Sequence, residues 1–280
     1  MTRSLAASLV AVLLLSAGCT NDFSPQSDLL GLRVLALVAD PLELGPGDPV
    51  TIQPRTYVPP GSTVTAHSWT FCPLSAGSVA AYACAVPQCE VELVPAPDGS
   101  VTANPTAIIA GCLGFTGGVI PESVPDQILT VFRYRISTDQ AGTRDAVLQL
   151  PQWTRVPPSD PNLPPVILGV EIGGLTAQVG LPTPPLPVNG TLPVRLLIDP
   201  ASVQTYVDAA GVTQTETMTG YFYTTAGTFS AGITTGTDTT SNLEGTDLLP
   251  GQTVTDVWVV ALDLRGGQAV AGPFTVPIGP

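Results

Sequence analysis

The sequence predicts an all-β protein made of two antiparallel β-sandwiches in tandem. Three observations predict it. Short runs rich in Val, Ile, Thr and Tyr are separated throughout by turn residues, with 28 Gly and 30 Pro in 280 residues. That is the pattern of many short strands, not of helices. Residues 157–165 hold five prolines in nine positions and favour extended polyproline II, a semi-rigid spacer. The halves on either side of that stretch also end alike. Gln127-Ile128-Leu129-Thr130 and Gln252-Thr253-Val254-Thr255 lie 125 positions apart, and each opens an apolar strand, a turn and a last strand. Two copies of one unit explain the spacing.

Taken in order, the chain opens with Met1-Thr2-Arg3, one positive charge, and an apolar run over residues 5–15. That run has the length of a signal-peptide core and is too short for a spanning helix, which needs ~20 apolar residues. Ser16-Ala17-Gly18 then lead directly into Cys19. This segment resembles the lipobox of bacterial lipoproteins, with Ser16 where the commonest pattern has Leu and Leu15 one position earlier. The resemblance implies that residues 1–18 are a cleaved signal peptide and that Cys19 carries a diacylglyceryl group. Each buried CH₂ contributes ~0.8 kcal/mol, so two or three acyl chains hold a protein on a bilayer durably. The competing reading is an ordinary secretory signal with a chance cysteine. Thr20 follows where inner-membrane lipoproteins of enterobacterial type carry Asp, so the resemblance points to a Gram-negative outer membrane. Residues 19–30 read as a lipidated, flexible tether.

Residues 31–156 form the first expected sandwich. A strand over 32–40 ends at Asp40-Pro41, and Gly45-Pro46-Gly47-Asp48 leads into a second strand. This succession resembles the opening of bacterial immunoglobulin-like modules. The alternating run 64–72 places Trp69 where such sandwiches bury one on their third strand. Residues 73–125 read as a long insertion with few regular runs, which is unusual in a compact domain. It carries three of the four remaining cysteines. Cys72, Cys84, Cys89 and Cys112 are an even set in an exported chain and imply two disulfides, with three possible pairings. Their spacing lacks the close pairs of a zinc site. The pairing Cys72–Cys84 with Cys89–Cys112 is preferred because it closes two short, separate loops. Strands over 128–136 and 146–150 close the unit as a hairpin.

The second sandwich, 166–280, is expected to place strands at 166–172, 192–198, 218–224, 253–262 and 269–276. The ending Asp263-Leu264-Arg265-Gly266-Gly267 before the last strand resembles the final hairpin of bacterial immunoglobulin-like and PKD-like repeats.

Composition narrows the function. The net charge is −13, and all nine basic residues are Arg. An acidic chain without clustered cations is unsuited to nucleic acid and has no attraction to anionic headgroups, so attachment rests on the lipid. His67 is the single histidine and sits beside Trp69 in a strand, a structural place. No nucleophile elbow, zinc-protease motif or phosphate loop is present. Neither a cofactor nor a metal is expected. Asp238, Glu244 and Asp247 on a Thr- and Gly-rich stretch offer oxygen ligands for Ca²⁺, but without EF-hand spacing. Tyr221 and Tyr223 share one strand face and form either a ligand-contact surface or packing.

The expectation is therefore a non-catalytic, membrane-anchored envelope lipoprotein that binds an unidentified protein or glycan partner. The alternative is a carbohydrate- or matrix-binding accessory protein using Tyr221 and Tyr223. A more distant one is a hydrolase using Glu90, Glu92 and Glu122.

Overall fold

The computed structural model describes residues 26–112, 114, 122–156, 160–207 and 211–279. The signal segment and Cys19 lie outside these residues. The first unit runs β1 (Arg33–Asp40), β2 (Val50–Tyr57), β3 (Val64–Cys72), β4 (Val91–Leu93), β5 (Val101–Ala103), α1 (Pro105–Cys112), β6 (Gln127–Thr138) and β7 (Thr143–Trp153). One sheet has the order β1-β2-β5 and the other β4-β3-β6-β7, antiparallel throughout. After β1 the chain crosses to the second sheet, where Leu44 bridges Gln152 in parallel. This is the arrangement of an immunoglobulin-like sandwich.

Period-2 alternation fixes which residues enter the core. Trp69 and Phe71 of β3, Phe132 and Tyr134 of β6, and Leu148 and Leu150 of β7 point inward and are essentially excluded from water. The Trp69 and Tyr134 rings lie 4.7 Å apart, and Phe71 and Phe132 4.8 Å apart. The Trp69 indole N–H is satisfied by donating to the Gly99 carbonyl at 2.8 Å. Gly99 has φ +81°, and a Cβ there would fall 2.7 Å from His67 Nδ1. His67 shares a 2.6 Å hydrogen bond with the Tyr134 hydroxyl, whose pKa burial pushes up to about 12.

The described residues of 73–125 are more regular than their composition suggests. They supply β4 and β5, one edge strand of each sheet, and the helix α1. Asn104 caps α1, accepting from the Ala107 N–H at 3.2 Å, and Pro105 takes the first helical position, where its missing N–H costs nothing. The disulfides join Cys72 to Cys84 and Cys89 to Cys112. They tie the β3–β4 connection and the C-terminal end of α1 down over Val131, on the outer face of β6. The Cys89–Cys112 bridge closes 23 residues, so replacing both cysteines by alanine is expected to destabilise the chain by about 2–4 kcal/mol. Urea denaturation of the double variant against wild type reads this directly.

The second unit runs β8 (Ile167–Ile172), β9 (Leu175–Thr176), β10 (Leu186–Pro187), β11 (Thr191–Ile198), β12 (Thr205–Val207), β13 (Thr213–Thr215), β14 (Thr219–Thr224), β15 (Thr228–Phe229), β16 (Ile233–Thr235), β17 (Asp238–Glu244), β18 (Val254–Leu262) and β19 (Gln268–Gly279). Its sheets are β15-β17-β11-β8-β9 and β10-β19-β18-β14-β16, with β12-β13 a separate hairpin. Here too the first strands divide between sheets, β8 pairing with β11 and β10 running parallel to β19. The chain is thus two immunoglobulin-like antiparallel sandwiches in series.

The sandwiches are joined face to edge. Val257, Val259 and Ala261 of β18 enter their own core, while Trp258 and Val260 point the other way. With Tyr221 and Tyr223 of β14 they pack against Leu35, Ala36 and Tyr57 of the first unit. Leu29 is wedged into the same cluster. Its N–H donates to the Thr224 carbonyl at 2.8 Å, and the Thr224 N–H donates to the Ser27 carbonyl at 2.9 Å. Residues 26–30, expected to belong to a flexible tether, are therefore seated on β14. Within the proline-rich stretch, Asn162 is buried and donates to Asp263 at 3.0 Å, so that part of the expected spacer is docked on the second sandwich.

Candidate binding groove

The junction contains a charged knot. Asp263 caps the β18–β19 turn, accepting from the N–H groups of Arg265 and Gly267 at 2.7 and 2.8 Å. The turn aims Arg265 at the first sandwich, where its guanidinium donates to Glu43 at 2.9 Å and to Glu216 of its own unit at 2.6 Å. Those carboxylate side chains are 5% and 0% exposed. Glu43 also accepts from the Trp153 indole at 3.2 Å and Glu216 from the Gln204 N–H at 3.0 Å. The Arg265 guanidinium stacks over the Tyr206 ring at 4.3 Å. This knot locks the two units and leaves no open coordination.

One open feature is the outer face of β3, β6 and β7. The alternation that buries Trp69, Tyr134 and Leu148 turns Ser68, Thr70, Arg133, Arg135, Asp145 and Val147 outward. Register lines them up in two cross-strand rows, Ser68–Arg135–Asp145 and Thr70–Arg133–Val147. Arg135 binds Asp145 through two guanidinium nitrogens, at 2.6 and 3.2 Å. This hydrogen bonding holds the Asp145 carboxyl below the usual carboxylate range. A depressed carboxyl is the charged partner at neutral pH, and the pair's contribution is lost as pH falls below the ordinary Asp value of about 3.9. The NMR titration midpoint of Asp145 is expected below that value and is expected to rise in Arg135→Ala. Arg133 pairs with Glu90, and its Nε is buried without an acceptor.

The disulfide-tied loop roofs this face. Ser75 bridges Cys84, and Ala76 and Ala83 join through a 2.8 Å backbone hydrogen bond. At the loop's tip Ala81 and Tyr82 have φ of +49° and +57°. Two successive non-glycine residues in the left-handed region are unusual, and each costs roughly 1–2 kcal/mol. The Cys72–Cys84 bridge holds them there and sets the Tyr82 ring over the rows. The cavity enclosed between Ala81, Tyr82, Glu90 and the sheet measures about 550 Å³. A second cavity of about 400 Å³ shares Tyr82 and Val147 and runs on to Leu264 and Gln268 of the second sandwich. Together they make one trough crossing from β3 to the β18–β19 turn.

The residues singled out in the sequence fall elsewhere. Tyr223 is 6% exposed in the junction, with Tyr221 stacked on it at 6.4 Å and Arg33 over its ring at 5.1 Å. Tyr223 is covered by protein, and Tyr221 is partly buried beside it. Asp238 binds Arg195 at 2.7 Å and lies at the opposite end of β17 from Glu244, about 20 Å away in an extended strand. No Ca²⁺ site forms from them, and no group of three His, Cys, Asp or Glu side chains assembles among the described residues. Glu90 is engaged by Arg133, while Glu92 and Glu122 are exposed. Sequence reasoning missed Tyr82, Arg133, Arg135 and Asp145. A usable signal was present: Arg133-x-Arg135 puts two of only nine cations on one face of a strand.

No family model and no curated protein matches the chain. Among solved structures it is similar to the D00-D0 domain of intimin, with 9% identity over 89% of this chain and 99% of that one and a TM-score of 0.24. It is also similar to the Yersinia pseudotuberculosis adhesin InvE, with 12% identity over 89% and 60% of the two chains and a TM-score of 0.22. Latent dimeric PorU from Porphyromonas gingivalis gives 11% identity over 89% and 24%, with a TM-score of 0.23. Overlaps this loose carry neither fold nor function. The strand order and the trough themselves define the class: a tandem immunoglobulin-like β protein with a stapled groove across its junction.

Proposed function

We propose that the protein is a non-catalytic, lipid-anchored lipoprotein of a Gram-negative outer membrane that serves as an interaction module, with the stapled trough as its contact surface. The observation that carries this reading is the trough. Its floor is sheet, its roof is cross-linked, and one end is closed by the turn that the Arg265 knot fixes. Walls held this way lose little freedom when a partner arrives, which favours binding. The anchor rests on Ser16-Ala17-Gly18-Cys19. No helix among the described residues is long and apolar enough to cross a bilayer.

Two measurements test the proposal. The intact mass of membrane-extracted protein is expected to correspond to a chain beginning at Cys19 with acyl mass, absent in Cys19→Ala. A photo-reactive residue at Val147, in the trough, is expected to cross-link a discrete partner on living cells, while one at Leu175, exposed on β9, does not. An unlipidated mass overturns the anchor, and equal labelling at both sites overturns the trough.

A further inference from the structure

We infer that the stapled trough is a saccharide site taking a neutral oligosaccharide, with Tyr82 as the platform for a sugar ring. The inference rests on the trough being the contact surface and names what it contacts. Four observations converge on it. First, the cavity's charges cancel: Arg133 is paired with Glu90 and Arg135 with Asp145. A net-neutral lining in a chain of charge −13 neither attracts a polyanion nor repels an uncharged ligand.

Second, the lining alternates donors and acceptors at the spacing of a sheet. Ser68 and Thr70 offer hydroxyls, the guanidiniums offer planar donors, and the carboxylates accept. A sugar hydroxyl donates once and accepts once or twice, so adjacent hydroxyls match adjacent guanidinium and carboxylate groups.

Third, Tyr82 is half-buried and held over these groups by the Cys72–Cys84 bridge. The C–H face of a pyranose is apolar and slightly positive, which suits the negative face of an aromatic ring. Fourth, the loop tip is a built turn: the N–H groups of Ala81 and Tyr82 donate to the Ser78 and Gly77 carbonyls at 3.0 and 2.9 Å, so Tyr82 is presented on a fixed backbone. The volume of about 550 Å³, continuing for about 400 Å³ more, suits an elongated ligand of more than one ring.

The test is binding of the soluble chain, residues 26–280, to an array of neutral and anionic glycans. Isothermal titration with the strongest neutral hit follows. Tyr82→Ala is expected to weaken that binding at least tenfold and Tyr82→Phe to retain it. Val147→Arg, an exposed strand position that fills the trough, is expected to abolish it with an unchanged melting temperature, which separates loss of the site from loss of the fold. No neutral hit, hits confined to anionic glycans, or binding indifferent to both Tyr82→Ala and Val147→Arg would overturn the inference. The Val147 cross-link distinguishes the two levels. A blank array with a discrete protein cross-link leaves the trough as a contact surface for protein, and both blank removes the trough altogether.

Discussion

Arg265→Ala is expected to destabilise the protein by about 3–5 kcal/mol, although Arg265 lies in a turn and not in a core. One guanidinium serves two carboxylates, Glu43 and Glu216, whose side chains are 5% and 0% exposed. Removing it leaves two buried negative charges facing each other across the junction, and an uncompensated buried charge costs several kcal/mol. Removing the whole knot behaves differently. Glu43→Gln, Glu216→Gln and Arg265→Met together take away the charges along with their counter-ion and are expected to recover most of the loss. Urea denaturation of the single and triple variants makes the comparison. A triple variant no better than Arg265→Ala would mean that Arg265 acts through its packing on Tyr206 and not through charge.

Trp69→Ala is the second large effect, also about 3–5 kcal/mol, the range for truncating a buried aromatic. Trp69 is 1% exposed, packed on Tyr134, with its N–H on the Gly99 carbonyl. Truncation opens a cavity at the centre of the first core and removes that carbonyl's donor. Trp69→Phe keeps much of the volume but not the donor, and is expected to fall about 1–3 kcal/mol below wild type. Because β3 also forms the floor of the trough, both variants are expected to loosen it. Hydrogen exchange at Ser68 and Thr70 would report that change beside the global unfolding curve.

The parts of the fold governed by periodicity were legible in the sequence. Val64–Cys72 and the two closing hairpins alternate cleanly because one face of each is core. The turn Asp263-Leu264-Arg265-Gly266-Gly267 was also legible, though its second role was not, since the partners of Arg265 come from positions 43 and 216. The six-residue apolar run 257–262 and the run 34–39 held more than a strand assignment takes from them. Strands apolar on both sides are buried on both sides, and these two carry the junction between the sandwiches. Tyr221 and Tyr223 belong to that junction for the same reason.

The 73–125 region was the hardest to read. β4 and β5 are three residues each, too short to show alternation, and α1 is eight residues with apolar side chains on most of its faces. Spacing suggested the disulfide pairing. No local pattern, however, tells that the bridged loop folds back over β6. That placement makes the groove, so the candidate site was the least legible part of the chain.

The trough continues to the β18–β19 turn only if the two sandwiches form one body, because its far wall belongs to the second sandwich. Residual dipolar couplings of the chain in a weakly aligning medium test this most directly. The junction packing and the Arg265 knot predict one alignment tensor that fits amides of β1–β7 and of β8–β19 together, without reorientation between the units. Two tensors of different magnitude or direction would mean that the sandwiches move independently, and the trough would not continue across their junction.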